Sequence, residues 1–327
     1  MPGLARKHII GGLDIGTTKV VSVIAEAGLH GHPVIKGWGE CAALGIRKGV
    51  VIDKTSLGKS IAHAVGMAQA MAGLSIKEFY CSLPYASQPA GTCEITDVQL
   101  YEAIAMAGVT IRQAFSSVIA SAEAILNHTH KHIGTVLIDL GGALTGLAVY
   151  NQGEPVLTRM LPVGSEHITS DLALCLRTSL SEGERIKRSL GLLRPDSSTT
   201  LTISGVGGRA NRTVPACTAS DIIKSRSQEI FELVYQALSQ HVRLASLTGG
   251  VILTGGGSLL KGIVDLAACQ MNCPVAVGHP VKLAMSQEEW GSPVYASVLG
   301  MVLYGAKGST RRTGNQTGWR EVISRFI

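Results

Sequence analysis

Two aspartates in this chain stand in nearly the same setting. Asp14 lies in 10-IGGLDIGTTKVVSVI-24 and Asp139 in 136-VLIDLGGALTGLAVY-150, and each is followed by an apolar residue, a glycine, small residues and an apolar run. Glycine at such a turn permits close backbone approach and positive φ, so successive amide N–H groups can cradle a phosphate, while an aspartate at the strand end orients water on Mg2+. Two such hairpins facing across a cleft would clamp one polyphosphate from both sides. A third glycine cluster, 251-VILTGGGSLLKG-262, follows a buried strand and opens a helix. It can lay backbone against a flat nucleotide and bring a helix N-terminus near negative charge. Alone such a turn is a weak signal; after two Asp-Gly hairpins in order it is a strong one.

The elements that must hold these residues read as α/β. Strand-like runs IIGGLDIG, VVSVIAEA and VIKGWGE precede an expected helix over 55–73 and the run FYCSLP. A second series has TVLIDLGG, LAVYNQG and VLTRMLPVG, then expected helices over 167–177 and 181–190. A long helix over 220–245, the strand GGVILTGGG, a helix opening at Ser258, the run CPVAVG and a late helix in VYASVLGMVLYGAK complete the chain's core. A βββαβ-like order therefore occurs twice, each copy led by an Asp-bearing hairpin. The expected division is a first domain over 1–163, completed by 291–307, and a second over 164–290.

Length and composition agree with that reading. The 327 residues favour roughly two domains of ~150 residues, and 46% apolar with 16% charged residues suits buried parallel strand. The net charge of +6 suits an anionic partner, a nucleotide phosphate or acidic lipid. Aromatics are only 4% and no DNA- or RNA-reading motif appears, so nucleic acid is not an expected partner. The seven cysteines form no CxxC pair and sit in apolar surroundings, as reduced thiols of a cytoplasmic protein do. No run approaches ~18 uninterrupted apolar residues, which excludes an expected transmembrane helix, and the first motif begins too early to leave room for a signal peptide.

The ordered set LDIGTTKVV, FSSVIASAEAIL, VLIDLGGALTGLAVY, LTGGGSLLKG and VYASVLGMVLYG resembles the actin, DnaK-chaperone and sugar-kinase ATPase fold. With 46-IRKGVVID-53, LPVGSEHITSDLAL, ISGVGGRANR and the tail, it resembles the bacterial FtsA family over nearly the whole chain. That resemblance implies an actin-like ATP-binding protein that links FtsZ filaments to the cytoplasmic membrane at the division septum and self-associates. It implies Asp14 and Asp139 beside Mg2+, the only catalytic candidates, holding the metal indirectly. It implies Gly16, Thr17, Thr18 and Lys19 on the β- and γ-phosphates, Gly141 and Gly142 in the facing hairpin, and Gly255, Gly256, Gly257 and Ser258 on the adenosine side. Glu184, Lys187 and Arg188 share one helix face by their spacing, and the match to a Glu-x-x-Lys-Arg helix of DnaK-type relatives implies ribose and adenine contacts. Read without the resemblance, that face is a solvated charged one.

Two departures limit the expectation. The second hairpin carries Leu144 and Gly146 where the superfamily places a threonine and an aspartate, which predicts ATP hydrolysis that is weak or absent. FtsA proteins also insert a subdomain, 1C, after the run FYCSLP, whereas here only 84–114 is left with one expected helix over 97–107, so most of 1C is expected to be missing. The competing readings are a sugar kinase of the same fold, lacking any further legible catalytic carboxylate, and a chaperone-like ATPase, whose β-domain is replaced by a linker and tail.

That linker is expected over 308–318. In 319-WREVISRFI-327, Trp319, Val322, Ile323, Phe326 and Ile327 recur at helical spacing with Arg320 and Arg325 off the stripe. A short amphipathic helix with an aromatic anchor and basic flanks suits an anionic membrane surface, and the alternative is a helix docked on its own core. So short a helix needs the membrane to order it. His128, His130 and His132 read as solvated loop, not a metal site. Arg226 lies in the region that resembles the FtsZ-tail-binding subdomain of FtsA, where a basic groove would suit an acidic peptide; a plain surface arginine is the alternative.

Overall fold

The computed structural model describes residues 8–28, 33–83, 94–205, 207, 210–244, 247–281 and 288–310. The chain divides into two units, one of residues 1–129, 158–160 and 278–327, the other of 130–157 and 161–277.

The first unit opens with β1 (Ile9–Ile15), β2 (Lys19–Ala27) and β3 (Pro33–Ala42). The small hairpin of β4 (Ile46–Arg47) and β5 (Val50–Val51) leads into α1 (Lys54–Ala72). Asp53 caps α1 by accepting from the N–H groups of Thr55 and Ser56, and Gly73 in the left-handed region ends it. Then come β6 (Glu78–Leu83), α2 (Glu94–Met106), β7 (Thr110–Ser116) and α3 (Ser117–Ile125). The sheet runs β3-β2-β1-β6-β7, antiparallel through the first three strands and parallel from β1 to β6 to β7. Alternation along β2 sends Val20 and Ile24 toward α1 and α2, and Val21, Val23 and Ala25 toward the opposite core.

The second unit repeats this plan. After α4 (His128–Ile133) come β8 (Thr135–Leu140), β9 (Thr145–Asn151) and β10 (Glu154–Leu161). Two helices, α5 (Ser165–Cys175) and α6 (Leu180–Leu190), the hairpin β11 (Thr200–Ile203) and β12 (Arg212–Pro215), and α7 (Ala216–Ser239) follow. The unit ends with β13 (Val251–Thr254), a 3-10 turn over Gly256–Leu259, α8 (Ile263–Met271) and β14 (Val275–Val277). Its sheet runs β10-β9-β8-β13-β14, with β8 parallel to β13 and β13 parallel to β14. The chain then returns to the first unit, where α9 (Ala296–Thr310) packs with α3 on the face opposite α1. Gly300 allows that packing, since a Cβ there would run into the Ala120 carbonyl.

The boundary expected at 163 moves to 130, because β8 pairs through Asp139 with Thr254 of β13, which draws β8, β9 and all of β10 but residues 158–160 into the second unit. Within 84–114, where one helix is expected over 97–107, the described residues form α2 and the start of β7. A parallel neighbour for β6 requires such a crossover, so this stretch serves the core, burying Leu100, Ala103 and Ile104. The histidine segment, expected as loop, forms α4, and α9 runs on through Thr310 into the stretch expected as linker. The expected helix 319–327 lies outside the described residues.

Candidate functional site

In the first unit, Asp14 lies one residue before the end of β1, opposite Val21, and Gly16–Thr18 form the turn into β2. The Gly16 N–H closes the turn on the Lys19 carbonyl at 3.0 Å, and a Cβ on Gly16 would come within 2.9 Å of that oxygen. Parallel pairing places Ser82 beside Asp14, and its hydroxyl donates to Asp14 Oδ1 at 2.5 Å. Ser297, at the start of α9, donates to the same oxygen at 3.1 Å. Both hydroxyls thus fix one oxygen, and no hydrogen bond within the described residues engages Oδ2. Burial raises the Asp14 carboxyl above its ordinary value, opposed by the two serine hydrogen bonds and the Lys19 charge. Lys19 itself bonds Glu40 of β3, Nζ to Oε2 2.9 Å, and lies 4.0 Å over the Tyr295 ring. Thr18 is exposed, and its carbonyl accepts from the Ala43 N–H.

In the second unit the hairpin closes in the same way. Gly141 N–H donates to the Leu144 carbonyl at 3.0 Å, and a Gly141 Cβ would meet that oxygen at 2.9 Å. The carbonyls of Gly141 and Gly142 accept from the N–H groups of Ser165 and Glu166, the first turn of α5, at 2.9 and 2.8 Å. Those bonds satisfy two helix-end donors. Because C=O and N–H of a trans peptide point in opposite directions, the amides of Gly142 and Ala143 point away from α5. Ala143 and Leu144 are buried, so this hairpin has lost the polar tip of the first.

The glycines after β13 divide by their packing. Gly255 has φ +79° and sits against Asp139 and the Leu140 carbonyl, while a Cβ on Gly257 would strike the Leu140 side chain. Gly256 is exposed, has an ordinary φ and meets nothing within 4 Å. Packing requires glycine at 255 and 257; at 256 the fold does not, and a bare backbone there leaves room for a flat ligand. Ser258 is buried and its hydroxyl closes the turn on the Gly255 carbonyl at 2.7 Å.

Glu184, Lys187 and Arg188 are not a simple solvated face. Gly183 lets α6 lie close on α5, and Lys187, only 7% exposed, donates to Glu184 Oε2 at 2.7 Å, Thr169 Oγ1 at 2.9 Å and the Ser165 carbonyl at 3.2 Å. Three donors meet three acceptors, so the ammonium is saturated. Burial alone would raise Glu184, but hydrogen bonds from Lys187, Thr169 and Arg188 outweigh it and hold the carboxyl down at about 2. Burial also lowers Lys187 and raises neighbouring Glu166. Arg188 bonds Glu184 Oε1 at 2.7 Å while the rest of its side chain faces solvent.

Arg226 has partners of its own. On α7 it grips Asp171 of α5 with two nitrogens, at 2.5 and 3.2 Å, and bonds Glu229 at 2.7 Å. That fork closes on the protein itself. Sequence reasoning missed Ser82, Ser297, Glu40, Ser165 and Thr169, none of which carries a local motif. Among the described residues no group of three or more His, Cys, Asp or Glu could hold a metal. Asp14, with Oδ1 already held, fits Mg2+ kept at a distance through its waters.

Two copies of one five-stranded plan, each led by an Asp-x-Gly hairpin, define an actin-like ATPase fold. The crystal structure of MreB5 of Spiroplasma citri bound to ADP shares it with a TM-score of 0.68 at 16% identity, covering 94% of this chain and 99% of that one. A family model for Cell division protein FtsA matches residues 136–300, just over half of the chain. Cell division protein FtsA of Pseudomonas aeruginosa is 24% identical over 379 residues, covering 93% of this chain and 91% of the relative. That of Bacillus subtilis is 30% identical over 224 residues, 68% of this chain and 49% of the relative. The chain belongs to the FtsA family of cell-division proteins. The aligned span of the Pseudomonas relative exceeds the 327 residues of this chain, so the relative carries internal residues that this chain lacks.

Among the described residues no helix is long and apolar enough to cross a membrane.

Proposed function

We propose that the chain is an ATP-binding, membrane-tethered adaptor for FtsZ filaments, acting on the inner face of the cytoplasmic membrane at the division site. The observation that carries the nucleotide part is Gly256, an exposed glycine that nothing in the fold requires, at the end of a strand paired to the Asp139 hairpin. For ATP with Mg2+, the first unit would supply Asp14 Oδ2, the turn amides of Thr17 and Thr18, and Lys19, with the Gly16 N–H spent on closing the turn. The second supplies the Gly142 and Ala143 amides and the Gly256 surface, with Arg188 the member of the α6 trio that faces solvent. Glu184 and Lys187 hold α5 to α6 and so position the Gly141–Gly142 loop that α5 caps.

ATP serves here as a conformational ligand favouring self-association. With Leu144 buried and Gly146 bare, the second hairpin lacks the hydroxyl and the second carboxylate that would help place an attacking water. The tail residues Trp319, Val322, Ile323, Phe326 and Ile327 would insert in an anionic bilayer, and weak single-copy binding gains from multivalency once the protein self-associates. The FtsZ C-terminal tail is the proposed peptide partner of the second unit.

The test is pelleting of FtsZ on anionic liposomes with the full chain, with and without ATP and Mg2+. Recruitment that ATP enhances, and that Trp319→Glu with Phe326→Glu abolishes, supports the reading. No recruitment under any nucleotide condition removes FtsZ as the partner; sedimentation unchanged by the double substitution removes the tail as the anchor.

A further inference from the structure

Lys19, the cation of the first hairpin, sits between two carboxylates. In the β2–β3 register Lys19 opposes Ala42 and Val21 opposes Glu40, so Lys19 and Glu40 are diagonal neighbours on one sheet face. Asp14, opposite Val21, shares that face, and its charge and that of Lys19 attract. The hydrogen bond goes to Glu40, at 2.9 Å, with the two side chains 20% and 32% exposed. The ammonium also rests on the Tyr295 ring. Behind it Tyr295 packs on Trp290 at 4.8 Å between centroids, and Trp290 meets Trp38 edge-on at 5.6 Å. Trp38 stands two residues before Glu40 on the same strand face, and Trp290 is buried.

We propose that Glu40 is an internal competitor for phosphate: it holds Lys19 on Tyr295 until a polyphosphate arriving at the Gly16 turn takes the lysine, and the exchange is felt by Trp290 and Trp38. This rests on the nucleotide reading given above and deepens it by naming the residue that sets phosphate affinity. A partly exposed ion pair is weak enough to exchange, whereas a polyphosphate offers several negative charges at once. Only the fraction of molecules with Lys19 released is ready to bind, so the apparent affinity is reduced by that fraction. Glu40 therefore selects against ligands with too little charge to displace it. The exchange breaks and forms no covalent bond; it moves one ammonium between two anionic partners and withdraws a cation from an aromatic face.

The experiment measures binding of ATP–Mg2+, inorganic pyrophosphate and adenosine to the full chain, wild type, Glu40→Gln and Glu40→Asp, with tryptophan emission followed in parallel. Glu40→Asp keeps the charge but shortens the reach. Both variants should bind ATP and pyrophosphate about 2–5-fold more tightly than wild type, adenosine affinity should not move, and the emission change on adding pyrophosphate should be larger in wild type. Unchanged affinity for ATP and pyrophosphate in both variants overturns the competitor while leaving the nucleotide site intact. An equal gain for adenosine also overturns it, since the effect would then lie outside the phosphates. If neither wild type nor variants bind any of the three, the competitor and the nucleotide reading fall together.

Discussion

Gly16 and Gly141 occupy the same point in two hairpins of one design: each donates its N–H to a carbonyl three residues ahead, and in each a Cβ would stand 2.9 Å from that oxygen. The backbone of the turn is thus duplicated while its side chains have diverged. Thr17, Thr18 and Lys19 of the first correspond to Gly142, Ala143 and Leu144 of the second. One hairpin presents hydroxyls and a cation; the other buries its tip and is held from behind by α5. Phosphate cradling by amides survives such a change because it asks only for backbone, whereas placement of a reacting water does not.

The three glycines after β13 should separate stability from binding. Gly257→Val drives a branched side chain into Leu140 and should destabilise the protein by about 1–3 kcal/mol in urea unfolding. Gly256→Val, with open space around it, should change stability by no more than about 0.5 kcal/mol, yet abolish the thermal shift given by ATP–Mg2+. A Gly256→Val protein that keeps the full ATP shift would show that this backbone does not meet the ligand.

Asp14 should behave as a group kept for a ligand at the expense of the fold. Its folded-state pKa is raised, chiefly by burial, so its contribution to stability is full below the unfolded value and is lost as pH rises through the folded one. Asp14→Asn removes that loss. The variant should melt at or above the wild-type temperature at pH 7, the difference should shrink toward pH 4, and the ATP–Mg2+ shift should vanish. Melting that is lower at pH 7 and independent of pH would mean that Asp14 is a structural acceptor for Ser82 and Ser297 and nothing more.

Much of this architecture is legible in the sequence, because the Asp-x-Gly hairpins repeat and because period-2 runs alternate with helical ones. The domain boundary is not: β8 meets β13 more than a hundred residues later, and only that pairing assigns the second hairpin to the second unit. The segment 84–114 is legible as one helix, but its role is not. It connects β6 to its parallel neighbour β7, a pairing that needs a crossover and that no local pattern announces. Glu184, Lys187 and Arg188 are visible as a spacing, but Thr169 and Ser165, which saturate the lysine, arrive from another helix. Ser82, Ser297 and Glu40 reach Asp14 and Lys19 through strand register and a returning C-terminal helix, which no local pattern encodes.

Arg226 and Asp171 should prove to be a unit. Their two-pronged contact joins α7 to α5 and leaves both groups about one-quarter exposed. A double-mutant cycle with Arg226→Ala and Asp171→Ala should give a coupling of about 1 kcal/mol in chemical denaturation. FtsZ recruitment to liposomes by Arg226→Ala, measured where the variant is folded, should stay near wild type. Selective loss of recruitment with strict additivity in the cycle would return Arg226 to the role of a peptide contact.

The α5–α6 network should set the acid limit of the second unit. Glu184 has its carboxyl pulled from 4.5 to about 2, the bonds from Lys187, Thr169 and Arg188 outweighing burial. A depressed carboxyl contributes stability that is present above the unfolded pKa and lost as pH falls through the folded one, so the loss runs from about pH 4.5 to pH 2. Glu166 works in the opposite sense, since its raised carboxyl disfavours the ionised state as pH climbs. Glu184→Gln strands the buried Lys187 ammonium without its countercharge. Breaking a buried pair in this way costs about 3–5 kcal/mol, and the one-third exposure of Glu184 lowers the expectation to roughly 2 kcal/mol. Lys187→Met replaces the buried ammonium with an apolar chain of similar length and leaves Glu184 its bonds to Thr169 and Arg188, so it should cost less. Urea unfolding at pH 7 and pH 4 reads both effects. The Glu184→Gln deficit should narrow at the lower pH, where wild type begins to lose the same contribution, and a deficit that widens there would reverse the assigned sign.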